Sequence, residues 1–282
     1  MKLARISRIT MLGFSVLSLA LTSSCRKDEI DNDTGVARTE NQVESYFTDI
    51  NDVSDHVARR GDLTGFKVAE DASSPLSNCV IITIDTLIAS GQIDSIAYTI
   101  DFGTGCTGND GKLRAGKIIT TASGPYFQEG TIITITPVNY SVDGNVVSGF
   151  RKLTNTTTAG GLPTFTVEVN GSVALANAGG TITWTANRVR TWLEGFNTPM
   201  LFADDVISTT GSSNGVRASG TTWSSVINTP LVYKRSCRET VSGSLSLTPA
   251  DKPVRLIDFG NGSCDNTATV TINGNTFTIV TN

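Results

Sequence analysis

One histidine, His56, stands in 282 residues. That scarcity excludes zinc motifs built on paired histidines, and it makes any Ser-His-Asp triad depend on a single imidazole. Basic residues are also short, with 22 Lys and Arg against 26 Asp and Glu. The first 24 residues hold Lys2, Arg5 and Arg8 and no acid, so 22 less 3 leaves 19 bases against 26 acids, a net charge of −7. Nucleic acid is a poor partner for such a chain. No Gly-rich segment opens a helix, so Gly103-Thr104-Gly105 and Gly260-Asn261-Gly262 are not phosphate loops. No βαβ alternation appears, which argues against a parallel sheet, and no Pro- or Ser-rich linker divides the long C-terminal part. No motif marks a catalytic nucleophile or calls for a metal or other cofactor.

What the chain does contain is a repeat. Ile100-Asp101-Phe102-Gly103-Thr104-Gly105-Cys106 returns as Ile257-Asp258-Phe259-Gly260-Asn261-Gly262-Ser263-Cys264. Each copy has an upstream cysteine, and 106 less 79 and 264 less 237 both give 27. Matched text with matched spacing reads as an internal duplication. β-branched and aromatic arms flank a turn at Ala89-Ser90-Gly91-Gln92 in the first copy and at Pro249-Ala250-Asp251-Lys252 in the second. Both segments are therefore hairpins. Folding each about its midpoint brings its two cysteines opposite one another, at a Cα spacing of about 4.5 to 5.5 Å that a disulfide tolerates. Four cysteines allow three pairings, and the symmetry of the repeat selects Cys79 with Cys106 and Cys237 with Cys264. Asp101 and Asp258 read as side chains that bond the backbone of the adjoining Gly-rich turn. A calcium site from Asp101, Asn109 and Asp110 does not match the EF-hand spacing.

At the N-terminus, the three bases precede an apolar run from Met11 to Leu21 and then small residues up to Cys25. This is the layout of a secretory signal, too short to read as a spanning helix. Thr22-Ser23-Ser24-Cys25 resembles the lipobox of bacterial lipoproteins, with Leu21 one place further out than usual. The resemblance implies that residues 1–24 are removed and that Cys25 becomes the lipidated first residue. Arg26-Lys27-Asp28-Glu29 resembles the surface-export signal of Bacteroidota lipoproteins. The expected place is thus the outer membrane, at the cell surface, with the membrane reached through the lipid on Cys25 and residues 25–38 acting as a flexible tether.

Thr39 to Gln42 has the form of a capping box, and Val43, Tyr46, Phe47, Ile50, Val53 and Val57 recur at helical spacing. One amphipathic helix is expected in 39–62, ending at Gly61, with His56 on its solvated side. Gly61 also belongs to Arg60-Gly61-Asp62, which reads as a helix end rather than an adhesion motif. Beyond Val80, β-branched runs at 131–140, 146–156, 165–175, 181–193, 220–233 and 267–280 are broken by Asp143-Gly144, Asn170-Gly171, Gly179-Gly180 and Asn273-Gly274. These dipeptides are strong hairpin signals. The fold class is all-β: an antiparallel meander of two similar halves, about 63–160 and 161–282, forming a sandwich or an open half-barrel in one domain.

In 181–193 the even positions Ile182, Trp184, Ala186, Arg188, Arg190 and Trp192 share one face of a strand. Such a stripe can stack on sugar rings or clamp acidic groups, and such residues also stack on each other across ordinary strands. Trp184, Arg188, Arg190 and Trp192 are therefore candidate ligand-binding residues. Together, the Gly-rich segments after Phe102, the C-terminal strand pair, Trp184, Arg188 and Trp192 resemble Bacteroidota lipoproteins with an Asp-Phe-Gly-x-Gly-Cys signature. That resemblance covers most of the chain and implies no activity. The reading it leaves is a non-enzymatic envelope protein that binds a glycan, lipid or protein; the alternative is a carboxylate-dependent glycan-active enzyme.

Overall fold

The computed structural model describes residues 30–59, 74–89 and 92–281. Cys25, the segment 1–24, the stretch 26–29 and Arg60-Gly61-Asp62 lie outside the described residues. From Asp31 onward the chain is one compact unit.

It opens with helix α1 (Gly35–Ala58), followed by the hairpin β1 (Ile81–Ala89) and β2 (Gln92–Asp101). A two-residue strand β3 (Cys106–Thr107) leads into β4 (Leu113–Ala122), β5 (Ile132–Val142), β6 (Asn145–Asn155) and β7 (Thr164–Ala174). The series continues with β8 (Thr181–Glu194), β9 (Val206–Val216), β10 (Thr222–Lys234) and β11 (Glu239–Pro249). It closes with β12 (Arg255–Asn261), β13 (Thr267–Ile272) and β14 (Asn275–Val280). All fourteen strands lie in one antiparallel sheet whose spatial order is the chain order, β3 pairing with β4 at the side. The sheet stays open, with β1 and β14 as its ends. A single continuous sheet replaces the sandwich alternative.

The sheet curls around α1. Strands are about 4.8 Å apart, so β4 and β10, six spacings apart in order, would be about 29 Å apart in a flat sheet. Yet Arg114 on β4 bonds Asp49 of α1 at 2.5 Å, and Arg235 just past β10 bonds Asp52 of α1 at 3.0 Å. Arg238, beside Cys237, reaches Asp110 in the loop before β4 at 3.1 Å. Only strong curvature brings those strands to one helix.

The two repeated hairpins match in detail. Cys79 is bonded to Cys106 and Cys237 to Cys264, with Cα separations of 5.8 and 5.9 Å. Asp101 Oδ1 accepts the Gly103 N–H and Asp258 Oδ1 accepts the Gly260 N–H, both at 2.8 Å. Ile100 with Phe102 and Ile257 with Phe259 point inward and are buried. The registers differ slightly from midpoint folding. In the first copy the ladder ends at Ile81 opposite Asp101, and the Gly103 turn, at φ 61°, carries the chain back to Cys106.

Among the turn signals, Asp143-Gly144 and Asn273-Gly274 lie between paired strands with positive φ at both residues, as a type I′ turn demands. Asn170-Gly171 is different: it runs through β7, paired with β6 and β8. A Cβ at Gly171 would fall 2.5 Å from the Phe47 ring. The glycine marks close approach of helix and sheet, not a turn.

The helix also departs from its expected bounds. It begins at Gly35, four residues before Thr39, where Asp33 Oδ1 accepts the Gly35 N–H at 2.9 Å. Thr39 Oγ1 instead donates to the Gly35 carbonyl at 2.9 Å, so no capping box forms at Thr39. Within the expected tether 25–38, residues 35–38 belong to the helix, and Asp31 pairs with Arg255 at 2.7 Å and Asp33 with Lys252 at 2.6 Å.

Val43, Phe47, Ile50, Val53 and Val57 are fully buried, and so are Asn51, Ser54 and Asp55 on other faces. A helix buried nearly all round is the centre of a fold rather than its edge. Only Arg38, Gln42 and Ser45 form an exposed strip. His56 is buried too, with Nδ1 2.7 Å from the Asp52 carbonyl oxygen and its ring stacked on Phe202 at 3.9 Å. The expected solvated His56 is corrected.

Candidate functional site: a polar interior and an outer trough

Strand β8 alternates as its sequence suggests, Ile182, Trp184, Ala186, Arg188, Arg190 and Trp192 on one buried face and Thr181, Thr183, Thr185, Asn187 and Val189 on the exposed one. The shared face points at α1, not at solvent. Trp184, Arg188, Arg190 and Trp192 are 0 to 6 % exposed, which removes an open stripe on which a sugar could stack. Trp192 packs into Tyr126, Phe127 and Phe165, with ring centroids 6.1, 6.0 and 5.3 Å away. Arg190 lies over Trp192 at 5.2 Å and donates to Asn51 at 3.2 Å.

The carboxylates that meet this face come from the helix. Glu40 accepts indole N–H bonds from Trp184 at 3.1 Å and Trp223 at 2.6 Å, and hydroxyl bonds from Ser213 at 2.5 Å and Ser225 at 2.9 Å. Arg188 Nη2 adds a fifth bond at 3.3 Å and reaches Glu44 at the same distance. Five donors on one buried carboxylate satisfy it in full.

About two and a half turns along from Glu40, Asp49 takes Arg114 through two bonds and the Tyr140 hydroxyl at 2.7 Å. Burial pushes the Asp49 carboxyl up, but the Arg114 charge and hydrogen bonds outweigh it and hold the group at about 2. Arg114, fully buried, also donates twice to Asp110 and once to the Pro75 carbonyl. A bidentate fork shared by two carboxylates is the geometry for which arginine is suited. At the C-terminal end, Asp52 and Asp55 meet Arg235 at 3.0 and 3.3 Å, Asp55 accepts from Tyr126, and Asp205 bridges Arg235 and Arg59.

None of these helix residues was singled out from sequence. The signal that would have found them is arginine at inward strand positions. A guanidinium in a sheet interior requires an acceptor, and the one helix is the element able to supply it. The acids of the Asp101, Asn109 and Asp110 grouping are satisfied in the same way. Both Asp110 oxygens are taken by arginines, while Asp101 holds the Gly103 N–H and pairs with Lys117 at 2.9 Å. The cluster of Cys237, Glu239 and Cys264 has its sulfurs committed to the disulfide.

Two spaces remain. One is an interior cavity of about 710 Å³ between α1 and the sheet, reached along the exposed helix strip. Its floor includes Arg151, Arg188 and Arg190, and its far wall includes Leu231, Leu245, Ile257, Phe259 and Ile279. The other is a shallow trough of about 1150 Å³ that crosses β6 to β11. Trp184 and Trp223 point inward to Glu40, so their strand neighbours Thr183, Thr185, Thr222 and Ser224 face outward; the trough lies on that outer side. Ser148, Asn170 and Asn214 continue its lining, with Asp251 and Lys252 at one end.

These features define a helix-cored antiparallel β meander with an ion-paired interior. Comparison with family models, curated proteins and solved structures returns no match for this chain.

Proposed function

We propose that this chain is a lipid-anchored protein of the bacterial outer membrane, tethered through Cys25 and facing the cell exterior, that binds a ligand rather than transforming one. The outer trough is its ligand face, suited to a neutral polyhydroxylated ligand such as a glycan. The observation that carries this reading is the trough's chemistry. Hydroxyl and amide groups from Ser148, Asn170, Thr183, Thr185, Asn214 and Ser224 stand on rigid strands amid a mainly apolar lining, with Asp251 and Lys252 as the charged residues at one end. Hydrogen-bonding groups carried on a sheet bind a polar ligand at a lower ordering cost than groups on a mobile loop.

Glycoside hydrolysis ordinarily asks for two carboxyl groups about 5 to 9.5 Å apart across a concave site. Asp251 is the acidic residue of the trough lining, while Glu40, Asp49, Asp52 and Asp55 inside are held by donors. The hydrolytic alternative therefore has less to stand on.

A glycan-array screen of the whole chain beside its Thr185→Trp variant tests the trough. We expect at least tenfold weaker binding by the variant. Equal binding would move the ligand elsewhere, and no binding by either protein would remove glycans as the ligand. For the anchor, radiolabelled palmitate should enter the chain and disappear with Cys25→Ala; a label that survives that change would overturn lipidation at Cys25.

A further inference from the structure

The interior cavity has a cationic floor with unmet donors. Arg151 and Arg188 are 6 and 4 % exposed. Among the described residues Arg151 makes one bond, Nη1 to the Phe47 carbonyl at 3.4 Å, and its Nε has no partner. Arg188 spends Nη2 on Glu40 and Glu44, leaving Nε and Nη1 without partners. The other helix acids along the cavity are already taken, Asp49 by Arg114 and Asp52 by Arg235. Burial and the nearby Arg190 charge pull the Arg151 guanidinium down to about 9, against the Glu44 and Asp55 charges that hold it up.

A buried guanidinium with idle N–H groups favours an acceptor, and an anion offers the strongest one. The opposite wall is of another kind. Leu231, Leu245, Ile257 and Phe259 are 1 to 6 % exposed and line the same cavity, so a ligand reaching the arginines lies along aliphatic and aromatic surface. About 710 Å³ lies within the size range of small-molecule sites.

We propose that this cavity binds a single-chain amphiphile with an anionic head, such as a carboxylate or sulfate ester on an aliphatic tail. The head sits on Arg151 and Arg188 and the tail lies along Leu231, Leu245, Ile257 and Phe259. The site is on the opposite face of the sheet from the trough, so neither reading depends on the other.

The test uses the whole chain with Cys25→Ala, so that the protein brings no acyl chain of its own. Dodecanoate, dodecanol and butyrate are titrated by calorimetry, with the combined fluorescence of Trp184, Trp192 and Trp223 as a second readout. Dodecanoate is expected to bind once per chain and at least tenfold more tightly than dodecanol, which lacks the charge, or butyrate, which lacks the tail. Arg151→Met should weaken dodecanoate at least tenfold and leave dodecanol unchanged, and Ile257→Trp, which fills the apolar side, should abolish binding. No binding of dodecanoate, equal binding of dodecanol, or an unchanged affinity in Arg151→Met would each overturn the proposal. Should either variant fail to fold, the comparison of dodecanoate with dodecanol on the Cys25→Ala chain decides alone.

Discussion

The two copies of the Ile-Asp-Phe-Gly hairpin carry the same residues and meet different surroundings. In the first, Ile100 and Phe102 press toward the helix, and the Phe102 ring lies 5.8 Å from Tyr140, whose hydroxyl holds Asp49. In the second, Ile257 and Phe259 line the interior cavity. The helix is responsible, because its backbone approaches β2, β4, β5, β6 and β7 closely and stands off from the later strands. Val43, Ile50 and Val57 share one side of α1. Ser54, on that same side, bonds Thr120 of β4 at 2.9 Å, which turns it toward the first copy. The strip of Arg38, Gln42 and Ser45 lies on the far side and borders the cavity. A duplicated sheet wrapped on an unduplicated helix thus gives one packed half and one half with room.

The largest effect that sharpens this contrast is expected from removing the two phenylalanines. Phe102→Ala leaves a void in packed surroundings and should cost about 3 to 5 kcal/mol. Phe259→Ala borders space that already exists, and should cost about 1 to 3 kcal/mol, nearer the transfer term alone. Urea unfolding of both variants checks the order, and equal losses would break the contrast. Acid comes next. The Asp49 carboxyl is depressed to about 2 in the folded chain, from an ordinary value near 3.8, so its contribution is present above pH 4 and is lost as pH falls toward 2. That loss is about 2 kcal/mol and should vanish in Asp49→Asn, as melts between pH 5 and pH 2 will show. The smallest effect is expected where the copies are alike. Asp258→Ala removes one exposed side-chain bond to a turn, and Asp101→Ala removes the same bond together with the exposed Lys117 pair; each should shift stability by no more than about 0.5 kcal/mol.

Much of the sheet was legible because its signals are local. The Asp143-Gly144 and Asn273-Gly274 turns, the β8 alternation and the paired cysteines all report on near neighbours. Strand β9 was not, since Ser208-Thr209-Thr210-Gly211-Ser212-Ser213-Asn214-Gly215 has the composition of a loop. It is a strand because β8 and β10 supply ladders on both sides, and because Gly215 leaves room for the Trp223 ring, 2.2 Å from where a Cβ would be. The helix misled for a related reason. His56 reads as a residue of a wet face, and the acids beside it are covered by partners far off in the chain, Asp49 by Arg114 at 65 residues and Asp52 by Arg235 at 183. Periodicity records where polar residues fall on a helix, not whether something distant will cover them.

The segment that leads from residue 30 into the helix is stapled by Asp31 to Arg255 and by Asp33 to Lys252. Mechanically, any pull arriving through the N-terminus is delivered first to the β11–β12 turn. Arg255 is fully buried and also donates to the Pro253 carbonyl, so this anchor point is seated in the sheet rather than draped on it. Load then enters the sheet at its hydrogen-bonded strands before the first turn of α1 is strained. If the chain is fastened through Cys25 as proposed, that arrangement places the strain relief outside α1, the helix at the centre of the interior.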